Sequence, residues 1–430
     1  MTYQLICGAE IHVELKTKSG MFCGCKNDAF GAPEPNIYTC PVCLGLPGAL
    51  PVPNKRAVEL TVLLGLALNC EIARESKFDR KHYFYPDLPK GYQISQYDEP
   101  LCTKGYIDTT FGRVGITRIH LEEDTATMKH TTVGDKKVSL IDFNRSGTPL
   151  AEIVTEPDIK NPEQAKEVLK KIRDIVVAVG ASDADMEKGQ MRLEANLSLS
   201  RDGKLPSYKV EVKNINSFRY FVGAMEYEVK RQSELLDRGE TPSQETRGYR
   251  ADTGVTVAQR SKEEAQDYRY FPEPDIPPII LTEEHINKIK QELVELPEQL
   301  KARLVEQGVS ESAAKILVAN KVMLKFYKDV NPSSADAARA LANALVNKKL
   351  DSSKTTPQDY LASLAPPSDQ LSEAEIKTTI QKVLADNEKV VLDYKGGKQN
   401  ALGFLVGQVM NMVKGKADPK TINTLLTKML

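Results

Sequence analysis

The sequence predicts an α+β fold in which a large mixed domain is followed by an all-helical region. Strand-like segments rich in β-type residues occur in the first part, for example RVGITRIHLEED (113–124), KVSLIDFNR (137–145) and YKVEVKNINSF (208–218). From Thr282 onward the pattern is nearly all helical. The segment FPEPDIPP (271–278) has four prolines and can continue neither a helix nor a central strand, so we place the domain boundary just after it.

Helical stretches interrupt the strands of the first part at 54–72, 161–180 and 221–239. The second of these has a proline near its start and a glycine at its end, as helices often do. The polar stretch 351–370 is typical of a linker, and a last small helical unit starts at 372. The sequence thus predicts three domains, at 1–280, 281–371 and 372–430.

Composition excludes several classes of protein. The 430 residues include 58 Lys and Arg against 59 Asp and Glu, so net charge gives no indication of a partner. No apolar run approaches the length of a membrane span, and the first residues lack the pattern of a secretion signal. Seven cysteines, four of them clustered, argue against a secreted disulfide framework. We expect a soluble, cytoplasmic protein.

The clustered cysteines are Cys23, Cys25, Cys40 and Cys43, in two closely spaced pairs. Two such pairs can close a tetrahedral shell of sulfur around one ion, which predicts a structural zinc site in the loop 23–43. Four reduced cysteines without a metal are the main alternative. An iron–sulfur cluster is a further one, although the spacing matches no common ferredoxin pattern.

The stretch GAEIHVEL (8–15) alternates between apolar and polar residues, with Glu10, His12 and Glu14 at every second position. Alternation with period two is typical of a strand with one apolar face and one polar face. The polar face of this strand would present carboxylate, imidazole and carboxylate.

Two further strand-like segments carry acidic residues. In RIHLEED (118–124), alternation places His120 and Glu122 on one face and Glu123 on the other, and in TPLAEIVTEPD (148–158) Glu152 is flanked by apolar residues. Burying such a carboxylate is costly unless it is paired, and a divalent cation pairs it well. Glu10, His12, Glu123 and Glu152 are therefore candidate ligands of Mg²⁺ or Mn²⁺. For each residue alone, a strand residue on the surface or a satisfied polar group in the core is the better explanation, and the presence of three acidic strands in one domain shifts the balance modestly towards a metal site.

The sequence contains neither of the common glycine-rich phosphate-binding motifs. Candidate phosphate contacts are Lys90 in YPDLPKGYQIS (85–95) and Arg145 in DFNRSGTP (142–149), since both lie beside Gly or Pro turns whose backbone amides can also face an anion.

Several of these strings occur together in one family. GAEIHVELKT, YFYPDLPKGYQISQYD, IHLEED, DFNRSGTPLAEIVTEPD, EVKNINSF and DYRYFPEPDIPP, in this order, closely resemble the GatB family, one of the component chains of the aspartyl/glutamyl-tRNA amidotransferases. The C-terminal GFLVGQVMNMVKGKADPKTINTLL is similar to the end of that family's tail domain. The resemblance covers essentially the whole chain.

The resemblance implies a cradle-shaped kinase domain, a helical domain and a small tail domain related to YqeY proteins. It implies a heterotrimer with GatA, a glutaminase that supplies ammonia, and with GatC. The GatB chain would use ATP and Mg²⁺ to phosphorylate the side-chain carboxylate of Glu on tRNA(Gln) or Asp on tRNA(Asn). Ammonia would then displace the phosphate, leaving Gln-tRNA or Asn-tRNA.

For individual residues, the resemblance implies Mg²⁺ ligands at His12, Glu123 and Glu152. Glu10 and Glu122 would lie nearby as catalytic residues, with Glu14 at the rim. The chain departs from the family pattern in reading Thr125-Ala126-Thr127 where a Gly-Lys pair is expected, and in a helical domain that is shorter than usual.

The end of the chain is basic, with seven lysines and two acidic residues between 389 and 430. A small basic helical unit suits recognition of the backbone of folded RNA, and the family's tail domain contacts tRNA, so Lys414, Lys416 and Lys420 are candidate tRNA contacts. Two rival hypotheses are a tRNA-binding scaffold that has lost the chemistry and a zinc-stabilised ligase that works without partners.

Overall fold

A computed structural model describes residues 3–261, 268–364, 371–398, 400–414 and 416–430. The chain divides into two compact units, Met1–Ala302 and Arg303–Leu430, and each is described by itself.

The first unit contains both strands and helices, which confirms the predicted α+β class. Its described strands are β1 (Gln4–Glu14), β2 (Glu71–Ile72), β3 (Glu75–Ser76), β4 (Asp79–His82), β5 (Tyr92–Ser95), β6 (Cys102–Thr109), β7 (Gly112–Glu123), β8 (Thr127–Val133), β9 (Lys136–Asp142), β10 (Pro149–Thr155), β11 (Met191–Ser200), β12 (Val210–Ile215), β13 (Glu245–Arg250), β14 (Val255–Ser261), β15 (Phe271–Pro272) and β16 (Ile279–Ile280). Its described helices are α1 (Lys55–Ala67), α2 (Pro162–Ala178), α3 (Phe218–Asp237) and α4 (Glu283–Lys290), and a 3₁₀ turn covers Phe143–Arg145.

A large sheet of nine described strands organises this unit, in the order β14-β13-β12-β11-β1-β10-β7-β6-β2. Neighbouring strands are antiparallel except β12 and β13, which run parallel. The first strand of the chain thus lies inside the sheet, between β11 and β10. Smaller sheets join β15 to β4 and β5, β16 to β3, and β8 to β9.

The two faces of the large sheet differ as the alternation in β1 predicts. Ala9, Ile11 and Val13 are fully or almost fully buried, and they share one core with apolar residues of α1, α2 and α3. Each fully buried aliphatic side chain contributes roughly 1.5–3 kcal/mol through removal from water. The opposite face carries the polar residues of the same strands.

The three helices that cover the apolar face lie where the sequence predicts them. Each begins after a residue whose side chain accepts a backbone N–H of the first turn, namely Asn54, Asn161 and Ser217. Such a cap satisfies one of the N–H groups that a helix leaves unpaired at its start.

The first unit extends beyond the predicted boundary at 280. Leu281, Ile286 and Ile289 are buried in the same core as the large sheet, so α4 packs with the first unit. Prolines in 271–278 end a strand and bend the chain, but they do not end the hydrophobic core.

The second unit is helical in its described part. Helix α5 (Pro297–Glu306) spans the division, and α6 (Glu311–Ala319), α7 (Lys321–Val330), α8 (Ala335–Val346), α9 (Pro357–Leu364), α10 (Glu373–Asp386), α11 (Glu388–Lys395), α12 (Asn400–Val413) and α13 (Pro419–Met429) follow. Helices α10, α12 and α13 share a core of their own. The predicted linker 351–370 contains α9, and its residues 365–370 lie outside the described residues. Among described residues, no helix combines the length and the apolar character needed to cross a membrane.

Candidate active site

Three neighbouring strands bring carboxylates and imidazoles together on the polar face of the sheet. In the pairing register, His12 of β1 is opposite Glu152 of β10, and Glu152 is opposite His120 of β7. Glu152 Oε2 lies 3.3 Å from His12 Nε2 and 3.2 Å from His120 Nε2. Glu122, two residues beyond His120, has Oε1 3.9 Å from His12 Nε2.

This group is buried and strongly coupled. His120, Glu122 and Glu152 are 4%, 2% and 7% exposed, so their charges are little screened by water. Burial alone would lower the pKa of both imidazoles, but Glu152 overrides it and raises the pKa of His12 and of His120 to about 9. Burial likewise opposes ionisation of Glu152, yet His120 and His12 hold the pKa of this carboxyl well below its usual range. At neutral pH the carboxylates are therefore ionised.

One imidazole and two carboxylates of this group can share a cation. His12, Glu122 and Glu152 each offer one ligand atom, and these atoms lie within 4.8 Å of one another. Oxygen and nitrogen donors in this number, with positions left for water and phosphate, suit Mg²⁺ or Mn²⁺. The chemistry of the donors therefore fits the metal that the sequence led us to expect.

Glu123, a predicted ligand, is not brought together with His12 and Glu152. Because side chains alternate along β7, Glu123 points away from Glu122. The carboxylate of Glu123 accepts a hydrogen bond from the ammonium of Lys90 and another, at 3.0 Å, from the backbone N–H of Ile94. Glu122 takes the place next to His12 instead. Glu122 and Glu123 thus lie on opposite faces of β7, as the alternation in RIHLEED predicts. The resemblance implies a ligand set with Glu123, whereas the structure groups Glu122 with His12 and Glu152.

Glu10, predicted as catalytic, lies in a second acidic group on the same face. Glu10, Glu194 and Glu211 also place carboxylate oxygens within 4.8 Å of one another. Asn196 Nδ2 donates to Glu10 at 2.7 Å, and Lys213 Nζ lies 2.9 Å from Glu194. Burial, followed by the charges of Glu152, Glu194 and Glu211, raises the pKa of Glu10, so this carboxylate is suited to accept a proton.

Glu14, the third alternate residue of β1, lies next to Asp124 beyond the His–Glu group. Burial and the charge of Asp124 raise the pKa of Glu14 to about 7. Arg192 Nη2 lies 2.8 Å from Asp124 and compensates part of the negative charge.

The two predicted phosphate contacts are both engaged within the chain. Lys90 binds Glu123, as described above. Arg145 Nε and Nη2 donate to the backbone carbonyls of Thr125 and Ala126, at 3.0 Å each. Arg145 therefore fixes the segment that follows β7.

Lys81 was missed by the sequence analysis and lies on the site side of β4. Its ammonium is 5.1 Å from the ring centre of Tyr268 and 6.0 Å from that of Tyr83. Although burial opposes it, the negative charges of Glu122 and Glu152 raise the pKa of Lys81. Among described residues it has no ion-pair partner within salt-bridge distance, so this charge is available to an anionic ligand. The only local signal was a lysine among aromatic residues in DRKHYFY (79–85).

Aromatic rings border the same region. Tyr97 and Tyr270 stack with 4.1 Å between ring centres and 12° between planes, and Tyr97 is 59% exposed. An exposed ring in a parallel stack leaves one face open to a further planar group.

The four clustered cysteines meet as their spacing predicts. Their sulfur atoms lie within 4.8 Å of one another, and Cys40 Sγ and Cys43 Sγ are 3.8 Å apart. Sulfur atoms on a tetrahedral zinc ion, at about 2.3 Å from the metal, are about 3.8 Å apart, so the cluster fits zinc. The hydrogen bond between Cys23 and Cys43 lowers the pKa of Cys43 and raises the pKa of Cys23, so the two thiols share a proton that a metal ion would displace.

The predicted tRNA contacts lie in the second unit. Lys414, Lys416 and Lys420 are exposed, Lys414 directly after α12 and Lys420 in the first turn of α13. Their exposure agrees with the sequence analysis and leaves their role a prediction.

The fold is of the α+β class, and its candidate active site lies on the polar face of a largely antiparallel sheet. A family model described as the GatB/GatE catalytic domain matches residues 5–287, and one described as the GatB domain matches 298–430. The chain therefore belongs to the GatB family, which forms part of the aspartyl/glutamyl-tRNA(Asn/Gln) amidotransferases.

Curated relatives agree over the full length of the chain. Proteins named as the GatB component of aspartyl/glutamyl-tRNA(Asn/Gln) amidotransferase from Thermomicrobium roseum and Thermoanaerobacter sp. (strain X514) are both 43% identical, with 100% of this chain and 99% and 100% of the relatives covered. The Thermotoga maritima protein of the same name is 42% identical, with 100% of this chain and 99% of that protein covered. The first alignment is 482 positions long for a chain of 430 residues, so this chain is shorter than that relative.

Proposed function

We propose that this chain phosphorylates the side-chain carboxylate of Glu on tRNA(Gln), of Asp on tRNA(Asn), or of both, and then converts it to the amide. The observation that supports this is the grouping of His12, Glu122 and Glu152 near the ammonium of Lys81, which has no ion-pair partner among the described residues. The names of the relatives supply the aminoacylated tRNAs as substrates.

The reaction has two steps. A carboxylate oxygen of the aminoacyl group attacks the γ-phosphorus of ATP, the bond to the β,γ-bridging oxygen breaks, and ADP leaves. Ammonia then attacks the acyl carbon, the bond to the phosphate oxygen breaks, and the nitrogen loses a proton. Phosphorylation is needed because a free carboxylate has no good leaving group.

The residues of this chain have separate roles in these steps. His12, Glu122 and Glu152 would hold Mg²⁺, and Lys81 would bind the phosphate chain from the side of β4. When bound, Mg²⁺ offsets the charge on the phosphoryl oxygens. Glu10, with its raised pKa, is suited to take the proton that the attacking nitrogen loses. Glu122, whose pKa is lowered by the hydrogen bond with His120 although burial opposes it, stays ionised and is better suited to hold the cation than to transfer protons.

Glu123 has two possible states in this scheme. It binds Lys90 in the structure, and it can become a metal ligand, as the resemblance implies, only if it leaves that partner. Measuring the affinity for Mn²⁺ in Glu122→Gln and in Glu123→Gln decides between the two sets of ligands, because the change that removes a ligand should weaken binding more.

Zinc at Cys23, Cys25, Cys40 and Cys43 would have a structural role. Four sulfur ligands leave no open position for a substrate, so zinc there would supply a fixed loop and no chemistry.

The proposed partners are GatA as the source of ammonia and GatC as the third chain of the complex. The names of the relatives describe each of them as one component of a larger enzyme, which supports an assembly of several chains. Copurification of a glutaminase with this chain tests the proposal, and an isolated chain with full glutamine-dependent activity would contradict it.

The first experiment measures ATP consumption and amide formation on Glu-tRNA(Gln) and Asp-tRNA(Asn) by the complex with GatA and GatC. Ammonium chloride replaces glutamine, so that the glutaminase is not needed. We expect Glu122→Gln to lower amide formation by about 100-fold or more, since it removes one charged ligand of the cation. Glu226→Gln, an exposed change on α3 across the sheet from the site, should have no effect. An inactive wild-type complex would instead favour the non-catalytic scaffold.

A further inference from the structure

A β-hairpin stands apart from the core of the first unit. Strands β8 and β9 pair only with each other among the described strands. Every side chain from 127 to 142 is exposed or half-buried, and Val133 and Leu140 are 60% and 52% exposed. The hairpin therefore contributes almost nothing to the core and presents both of its faces to the surroundings.

The hairpin is basic. Residues 127–142 contain Lys129, Lys136 and Lys137 against two acidic residues, Asp135 and Asp142, and Asp142 lies at the base, where it accepts a hydrogen bond from Asn36 N–H. All three lysines are exposed, and within the described part of the chain none has an ion-pair partner. In the pairing register Lys129 is opposite Leu140 and Lys136 is opposite Val133, so one face combines two ammonium groups with two exposed aliphatic side chains.

The base of the hairpin is fixed to the active site. It begins directly after the strand that carries Glu122. Arg145 donates to the carbonyls of Thr125 and Ala126, and Ala126 N–H donates to the carbonyl of Asp87 at 3.0 Å. The direction in which the hairpin leaves the site is thus determined by hydrogen bonds at its base.

The four-cysteine loop holds the second strand of the hairpin at the same base, where Asp142 of β9 is opposite Thr127 of β8. Asn36 N–H donates to Asp142 Oδ1 at 3.0 Å, and Phe143 N–H donates to Asn36 Oδ1 at 2.7 Å. Asn144 accepts the N–H of Tyr38 at 2.8 Å and donates to the carbonyl of Glu34 at 2.8 Å. Residues 34–38 lie between the two cysteine pairs, so the cluster and the end of β9 are connected through two asparagines.

We propose that the hairpin 127–142 is an arm that binds the phosphate backbone at the acceptor end of the tRNA substrate, and that the four-cysteine loop sets its direction. The proposal rests on the proposed function, in which the aminoacyl end of the tRNA must reach the site. The hairpin starts at the edge of that site and would therefore lie close to the bound acceptor end. Exposed lysines match the phosphates of an RNA helix. The wide, shallow minor groove of such a helix admits a surface that also carries aliphatic side chains.

The test is a triple variant, K129Q/K136Q/K137Q, in the complex with GatA and GatC. We expect the KM for Glu-tRNA(Gln) to rise by about tenfold, and its dependence on salt to become shallower, since contacts with phosphates are lost. The kcat at saturating tRNA and the KM for ATP should stay within about twofold of the wild type, because the chemical site is intact.

The matched control is K166Q/K170Q/K230Q, which removes three exposed charges from α2 and α3, the helices on the other side of the sheet. We expect no change in the KM for tRNA. A second variant, N36A/N144A, keeps all lysines and loosens the connection to the cysteine loop, and we expect it to raise the KM for tRNA while leaving the KM for ATP unchanged. Circular dichroism establishes that each variant is folded.

The outcomes separate this proposal from the proposed function. An inactive wild-type complex would refute the proposed function. An active complex whose KM for tRNA is the same with and without the three lysines would refute the arm alone. Loss of GatA or GatC from the triple variant, with unchanged tRNA affinity, would assign the hairpin to a protein partner and also overturn the proposal.

Discussion

Glu152 lies opposite His12 in the antiparallel pair of β1 and β10, with 3.3 Å between Glu152 Oε2 and His12 Nε2. A carboxylate at this distance favours the protonated imidazole, and the pKa of His12 is about 9 as a result, although burial opposes it. A metal ion must therefore compete with a proton for this nitrogen.

The affinity for Mn²⁺ should consequently increase with pH. Binding through His12 releases a proton as long as the pH is below about 9, so the dissociation constant should fall between pH 7 and pH 9. Titration followed by the electron paramagnetic resonance of free Mn²⁺ measures this directly. His12→Gln should weaken binding and reduce the pH dependence, with the part that remains due to His120 beside Glu152. An affinity that is equal at both pH values in the unaltered chain would show that His12 is not a ligand.

The stability of the metal-free protein should decrease at alkaline pH. The pKa of His120 is about 9 in the folded chain and 6.5 ordinarily, so its contribution is complete below about pH 6.5 and disappears as the pH rises through 9. The lowered pKa of Glu152 acts in the other direction, since its contribution is present above about pH 4.5 and disappears as the pH falls.

Denaturant unfolding at pH 6.5 and pH 9.5 measures how much stability is lost when His120 loses its proton. For one imidazole, this loss is no more than about 3 kcal/mol in the free energy of unfolding. His120→Gln should reduce the difference between the two pH values, and the exposed His130→Gln should not. A free energy of unfolding that rises towards pH 9.5 would contradict the coupling of His120 to Glu152.

The four-cysteine cluster should bind one zinc ion per chain. Cys43→Ser should remove the ion and lower the melting temperature, because the loop 23–43 then lacks the bond that closes it. Cys70→Ser, a change at a cysteine outside the cluster, should keep the ion. Elemental analysis of the purified chain gives the stoichiometry, and the absorbance of an iron–sulfur cluster would contradict the assignment to zinc.

Glu228 should be important for stability without taking part in the chemistry. This residue of α3 is completely buried, and it binds Arg247 Nε at 3.1 Å and Arg231 Nη2 at 2.8 Å. Removing one partner from a buried ion pair typically costs about 3–5 kcal/mol, since the other charges remain unpaired.

We therefore expect Glu228→Ala to lower the free energy of unfolding by about that amount. Asp108→Ala breaks the exposed pair with Arg113 and should change little. Equal effects of the two changes in urea unfolding would show that the buried pair has no special role.

Local patterns were sufficient for much of the fold. The alternation in GAEIHVEL correctly assigned one face of β1, because a strand has a fixed period of two. The helix predicted at 161–180 is α2, since Asn161 and Pro162 mark its start in the sequence itself. The boundary near 280 was placed differently from the observed unit because burial of Ile286 and Ile289 depends on distant partners.

The site was less predictable than the strands that carry it. Alternation separates Glu122 from Glu123, but the sequence does not show that β7 lies beside β10 with His120 opposite Glu152. The position of Lys81 beside the carboxylates depends on the pairing of β4 with β5 and β15 in a separate small sheet, and the local sequence does not show that pairing. Arg145 was predicted to contact phosphate because it lies beside a turn. In the structure it donates hydrogen bonds to the backbone carbonyls of Thr125 and Ala126, which only folding brings close to it.

The place of β1 inside the large sheet affects how the chain is made on the ribosome. β1 leaves the ribosome before both of its neighbours, and one of them, β11, follows only with Met191–Ser200. Throughout that interval, the nascent chain exposes at least one unpaired edge of β1, since its other neighbour, β10, emerges with Pro149–Thr155. Such an edge can pair with other chains, so we expect chaperones to bind the growing polypeptide until β11 has emerged and closed the sheet.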